Sequence, residues 1–151
     1  MEANCFSCNY VQDPPHLILD ADNWKLYLDV NQAYIGESYL ALKNHKSSLS
    51  DLSKEDWEEY EELVRKIEST YKEVLGVTLF NWSCFMNNSF LEGSTPHVHW
   101  HITPRYQNGV ELNGHTYKDE LFGEHKDIVL KRALSDKDME MLTTQFRSVL
   151  S

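Results

Sequence analysis

Residues 97–103 read HVHWHIT, and polar and apolar side chains alternate through them without a break. In a β-strand successive side chains point to opposite faces, so His97, His99, His101 and Thr103 share one face. Val98, Trp100 and Ile102 share the other and are expected to lie against a core. Slipping such a strand by one residue would bury three imidazoles, so its register is strongly fixed. This stretch therefore demands a sheet with one packed face and one face left open for polar side chains.

A packed face needs apolar material elsewhere in the chain. Of 151 residues, 41% are hydrophobic and 12% aromatic, enough for a core within one domain spanning residues 1–151. No run reaches the ~18 apolar residues of a membrane span. The start, MEANCFSCNY, lacks the basic and apolar regions of a secretory leader, so a cytoplasmic protein without membrane contact is expected. The formal net charge is −10, from 14 Lys plus Arg against 24 Asp plus Glu. That balance argues against nucleic acid as a partner, which calls for a basic footprint. It does not exclude a small anionic ligand, because the local potential in a cleft can oppose the net charge.

The remaining elements follow from pattern. HLILDADNWKLYLDV reads as two strands around a DADN turn, and SYLALKNH as a third, with Leu40 and Leu42 on one face and Tyr39 and Ala41 on the other. From Ser53 a helix is expected. Ser53 and Asp56 form a capping-box pair, Trp57, Tyr60, Val64, Ile67, Tyr71 and Val74 recur at helical spacing, and Gly76 is a C-terminal stop. VTLFNWSCFMN is strand-like, NSFLEGSTP is a loop, and Ser135 opens a short last helix. Residues 104–134 show no regular pattern and are expected to be mostly irregular. His16, His115 and His125 read as surface residues, and Cys84 as a small core residue. The sum is an α+β domain: an antiparallel sheet of about five strands, one long helix and a short C-terminal helix.

What could a row of three histidines do? One ion held by all three fits poorly. Positions i and i+2 of a strand lie ~6.8 Å apart and i and i+4 ~13.6 Å, whereas Zn–N bonds are only about 2.0–2.1 Å. A division of labour fits better. A neutral imidazole can attack phosphorus and form a phosphoramidate, while its neighbours orient the ring, hold phosphate oxygens or protonate a leaving group. Cys5-x-x-Cys8 is either a redox pair or half of a metal site. With no strand before it, metal is the better reading.

The motif H-V-H-W-H-I-T resembles the signature of the histidine-triad family of nucleotide hydrolases and transferases, His-φ-His-φ-His-φ-φ with φ apolar. CFSC, LYLDVNQAYIGESYLALKNHKSSLSDLS and PRY extend the resemblance over roughly residues 5–106. It implies the corresponding fold, in which an antiparallel sheet carries the triad. It also implies a nucleotidyl hydrolase or transferase acting at the α-phosphorus of a dinucleoside polyphosphate or nucleoside phosphoramidate. His99 would be the nucleophile, with His101 and His97 completing the catalytic row. Asp29 would bind ribose hydroxyls, Asn87 or Asn88 the phosphate or leaving group, and Ser94 the leaving-group side. Cys5, Cys8, His45 and His97 resemble the ligands of a structural Zn2+ in the metal-carrying branch. The resemblance allows a homodimer formed by joining sheets. A non-catalytic nucleotide-binding or zinc-stabilised module on the same fold is the alternative. Two positions depart from the pattern: Gly93 stands where many members have Gln, and Thr103 where an apolar residue is usual.

Overall fold

The computed structural model describes residues 5–150; Met1–Asn4, part of the stretch read for a leader, and Ser151 lie outside them. Helix α1 (Phe6–Gln12) leads into a hairpin of β1 (Leu17–Asp20) and β2 (Trp24–Leu28), and then β3 (Ser38–Leu42). The long helix α2 (Lys54–Leu75) is followed by β4 (Leu79–Ser83), a single helical turn α3 (Asn88–Leu91) and β5 (His99–Arg105). A small hairpin of β6 (Val110–Leu112) and β7 (His115–Tyr117) and the helix α4 (Asp136–Leu150) complete the chain. The five main strands form one antiparallel sheet in the order β1-β2-β3-β5-β4. The expected α+β architecture is therefore present. No described helix is long and apolar enough to cross a membrane.

Helix α2 begins as expected. The Ser53 hydroxyl accepts from the Asp56 backbone N–H, and the Asp56 carboxylate accepts from the Ser53 N–H. It ends at Gly76, whose φ of 66° lies in the left-handed region that glycine enters without penalty. The buried face is rotated from the expected stripe. Leu63, Ile67, Tyr71 and Leu75 are buried, whereas Trp57 is 39% exposed and Tyr60 and Val64 are half-buried. The reason is placement. The C-terminal part of α2 lies over the sheet beside α4, where Tyr71 stacks on Phe146 with ring centroids 4.0 Å apart. The aromatic N-terminal part runs out toward the β4 edge, and there Tyr60 stacks on Trp100.

Two further departures concern the second half. Strand β5 spans 99–105 rather than 97–103, because the Val98 N–H bonds the Lys46 carbonyl and the Val98 carbonyl accepts from Leu42, ahead of the ladder. The stretch taken as irregular contains the β6–β7 hairpin. Asn113 and Gly114 turn it with φ of 49° and 78°, the left-handed pair that a two-residue turn of this kind requires. Residues 118–134 do lack strands and helices and lie back across the sheet end.

Candidate active site and metal centre

Pairing in the sheet decides what surrounds the histidine row. Strand β5 lies between β3 and β4, with Tyr39 opposite His101 and Ala41 opposite His99 on one side, and Ser83 opposite His101 on the other. Val98 and Ile102 are fully buried, so the apolar side anchors the strand as expected. Trp100 is half-buried against Tyr60.

The three histidines have different partners. His97 is buried, and its Nε2 lies 2.6 Å from the Leu42 carbonyl oxygen. A carbonyl only accepts, so Nε2 carries the hydrogen and Nδ1 keeps its lone pair. That Nδ1 faces Cys5 Sγ at 3.5 Å and Cys8 Sγ at 3.4 Å. His45 Nδ1 lies 3.3 Å from Cys8 Sγ. The four donor atoms all fall within 4.8 Å of one another. A tetrahedral zinc with Zn–S near 2.3 Å and Zn–N near 2.0–2.1 Å sets its S and N ligands ~3.5 Å apart. The observed S···N separations match that, and all three described cysteines are free thiols. The donor set and spacing therefore fit a closed, structural Zn2+ site with Cys5, Cys8, His45 and His97 as ligands. Burial lowers the His97 pKa, which favours the neutral ring a ligand must be. Cys5 also caps α1 and accepts from the Cys8 N–H at 3.3 Å.

His99 turns the other way. Its Nδ1 lies 2.7 Å from the His97 carbonyl oxygen, so Nδ1 is protonated and the lone pair sits on Nε2. That Nε2 is 3.2 Å from His101 Nε2. Burial, only partly opposed by the carbonyl bond, lowers the His99 pKa. His101 is pulled down to about 4, first by burial and then by the charges of His99 and Lys126. The Tyr39 ring meets His101 edge-on at 4.7 Å and lines the same cleft as Asp29.

The row opens onto a two-lobed cleft. The first lobe, about 300 Å³, is walled by Phe6, Tyr10, Tyr27 and Tyr39 and contains Asp29, Asn88, Ser94 and all three histidines. The second, about 390 Å³, holds Asn87, Lys126 and Lys131. Asp29, Tyr39, Phe85, Asn88 and His101 line both. The residues singled out from the sequence thus gather at one cleft, with Cys5, Cys8 and His45 behind His97. Asn87 faces only the second lobe, Asn88 faces both, and Ser94 Oγ accepts from the Phe6 N–H at 3.3 Å.

Sequence reasoning missed Tyr39, Phe85, Glu37 and Lys126. The signal for Tyr39 was present, since it shares a strand face with Ala41, but the pairing that sets it beside His101 was not legible. Thr103, the departure from the apolar pattern, donates to Glu37 Oε1 at 3.1 Å and accepts from Lys126 Nζ at 3.1 Å. Lys126 also pairs with Glu37. Burial raises the Glu37 pKa despite that partner.

A sheet of this order carrying a histidine row on its open face defines a class, the histidine-triad fold. Comparison with solved structures bears this out. A zinc-bound histidine triad family protein from Mycobacterium smegmatis matches with a TM-score of 0.66 at 20% identity, over 97% of this chain and 92% of that one. A hypothetical histidine triad nucleotide-binding protein from Sulfolobus tokodaii matches at 0.71 and 13%, over 97% and 91%. The diadenosine triphosphate hydrolase of Plasmodium falciparum matches at 0.62 and 16%, over 90% and 76%. No family model and no curated protein matches the sequence.

Proposed function

We propose that the chain is a nucleotidyl hydrolase or transferase that cleaves at the α-phosphorus of a nucleotide substrate through a covalent nucleotidyl-His99 intermediate. The observation that carries this reading is the hydrogen bond from His99 Nδ1–H to the His97 carbonyl. It leaves the Nε2 lone pair beside His101, at the cleft that also holds Asp29.

The chemistry then runs in two steps. His99 Nε2 donates its lone pair to the α-phosphorus, and the bond from phosphorus to the leaving group breaks with its electrons going to the leaving atom. A phosphate leaving group departs as the anion and an amine takes its proton from solvent water, while His101, neutral with its pKa at about 4, contacts the phosphate. Water then attacks phosphorus and gives up its proton to solvent, the N–P electron pair returns to Nε2, and nucleoside monophosphate leaves. The His97 carbonyl holds the Nδ1 proton and spreads the charge that develops on the ring. Asp29 accepts from the ribose hydroxyls, and the aromatic wall of the first lobe takes the base. Ser94, Asn87 and Asn88, which line the cleft, serve the phosphate and leaving group in this reading. A zinc ion on Cys5, Cys8, His45 and His97 would act as a structural clamp. Thiolate ligation suits a reducing compartment, so a cytoplasmic location accompanies this reading.

Brief exposure to a dinucleoside polyphosphate or a nucleoside phosphoramidate, followed by intact-mass analysis at neutral pH, tests the mechanism. The expected result is an adduct of one nucleoside monophosphate that is absent from His99→Ala, together with loss of turnover in that variant. Binding with no adduct and no turnover would favour a non-catalytic nucleotide-binding module. Near-normal turnover by His99→Ala would overturn the assignment of the nucleophile.

A further inference from the structure

Helix α1 serves two sites at once. Tyr10 and Val11 pack on Tyr27, Tyr39 and Ala41, in a cluster distinct from the main core. From there the helix supplies Phe6, Ser7 and Tyr10 to the wall of the first lobe. The Phe6 and Tyr10 rings stack with centroids 5.9 Å apart, and Tyr10 meets Tyr27 at 5.3 Å. The Phe6 N–H also donates to Ser94 Oγ, on the loop ahead of the histidine row. One turn of the same helix carries the buried thiols of Cys5 and Cys8, whose sulfurs face His45 and His97.

Seven residues do not hold a helix by themselves, so ordering α1 costs free energy that its contacts must offset. An ion on the four ligands needs both thiols in place, and a nucleotide in the first lobe needs both rings in place. Whichever arrives first orders the helix, and the second then binds without that cost. His97 is a poorer conduit between the two sites. The N–H and carbonyl of Val98 beside it are bonded to Lys46 and Leu42, and its own Nε2 is bonded to the Leu42 carbonyl, so the sheet already holds it.

Resting on the reading of the first lobe as a nucleotide site, we infer that zinc and nucleotide bind cooperatively, with α1 as the element both of them order. Phe6 and Tyr10 are the coupling residues: they face the nucleotide side and ligate nothing. Linkage is reciprocal, so the factor by which zinc raises nucleotide affinity is the factor by which nucleotide raises zinc affinity. The structural clamp is then also a control point, at which metal supply sets nucleotide affinity.

The test measures both sides of the linkage. Zinc affinity of the full chain is determined by competition with a chromophoric chelator, with and without saturating AMP or GMP. Nucleotide affinity is determined by calorimetry on the zinc-loaded and the metal-free chain. The expected result is zinc bound about fivefold or more tighter with nucleotide present, and nucleotide affinity lower by the same factor in the metal-free chain. Phe6→Ala combined with Tyr10→Ala keeps all four ligands. It should bind one zinc and lose the coupling, so that zinc affinity no longer responds to nucleotide.

Equal nucleotide affinity with and without zinc overturns the inference, and so does coupling that survives in the Phe6→Ala, Tyr10→Ala variant. Hydrogen exchange on the metal-free chain separates a loosened α1 from wider unfolding. Protection lost in β3 and β5 as well as in residues 5–12 would make the coupling global and overturn the assignment to α1. A zinc-loaded chain that binds neither nucleotide overturns the proposed function and this inference with it. Nucleotide binding that ignores zinc overturns this inference alone.

Discussion

His99 and His101 illustrate how two side chains of one type are set to different work by what they touch. The carbonyl on Nδ1 fixes the His99 tautomer, and burial keeps the ring neutral. His101 is held lower still, at about 4. The sign for catalysis follows directly. A lowered pKa means the proton leaves at lower pH, so the His99 lone pair is available across the neutral range. A cation on His97 would push His99 in the same direction. Because kcat/KM reports the free enzyme, its acid limb should lie below the ordinary imidazole range. Under the proposed mechanism, kcat/KM at pH 6 should stay within about twofold of its value at pH 7.5. An unperturbed imidazole of pKa ~6.5 would already have lost about three quarters of its neutral form. A pH–rate profile that halves near 6.5 would contradict this account.

At the level of elements, α1 is the piece least able to stand alone. Seven residues are too few for a stable isolated helix. Two attachments hold it: Tyr10 and Val11 pack on Tyr27, Ala41 and Tyr39, and the Cys5–Cys8 corner meets His45 and His97. With zinc on those four ligands, metal removal should loosen α1 while the sheet persists. The expected outcome for Cys8→Ser is loss of bound zinc in metal analysis, with faster hydrogen exchange in residues 5–12 and unchanged protection in β3 and β5. Zinc retained in full stoichiometry would count against this ligand set. The same elements show what a sequence can and cannot convey. The alternation at 97–103, the Ser53–Asp56 box and Gly76 are local signals, and they were legible. The rotation of α2 was not, because Trp57 and Leu63 are both apolar and only the position of the sheet decides which is covered. The β6–β7 hairpin escaped because three-residue strands carry too little alternation, although Asn113-Gly114 marked the turn. Glu37 and Lys126 are 89 residues apart in the chain, and no spacing rule brings them to Thr103.

Across the molecule, one buried residue ties the irregular stretch to β5, the strand that carries the histidine row. Arg105, the last residue of β5, is almost wholly buried, and so is Asp119. The guanidinium donates from Nε to Asp119 Oδ2 at 2.6 Å and from Nη2 to Oδ1 at 3.1 Å, a bidentate fork. It also reaches Asn81 on β4 at 3.0 Å, and the carbonyls of Leu121 and Glu124. Residues 119–124 are thereby fixed to the sheet end, and Lys126 follows two residues later. Removing the guanidinium leaves a buried carboxylate with no cation, which typically costs about 3–5 kcal/mol, more than the pair itself contributes. Arg105→Ala should therefore lower the denaturant midpoint by an amount of that order. Arg105→Ala combined with Asp119→Ala should be less destabilised than the sum of the two singles, because the orphaned charge goes with its partner. Denaturant titration of the four proteins measures the coupling. Strict additivity would show that Asp119 is not the charge Arg105 neutralises.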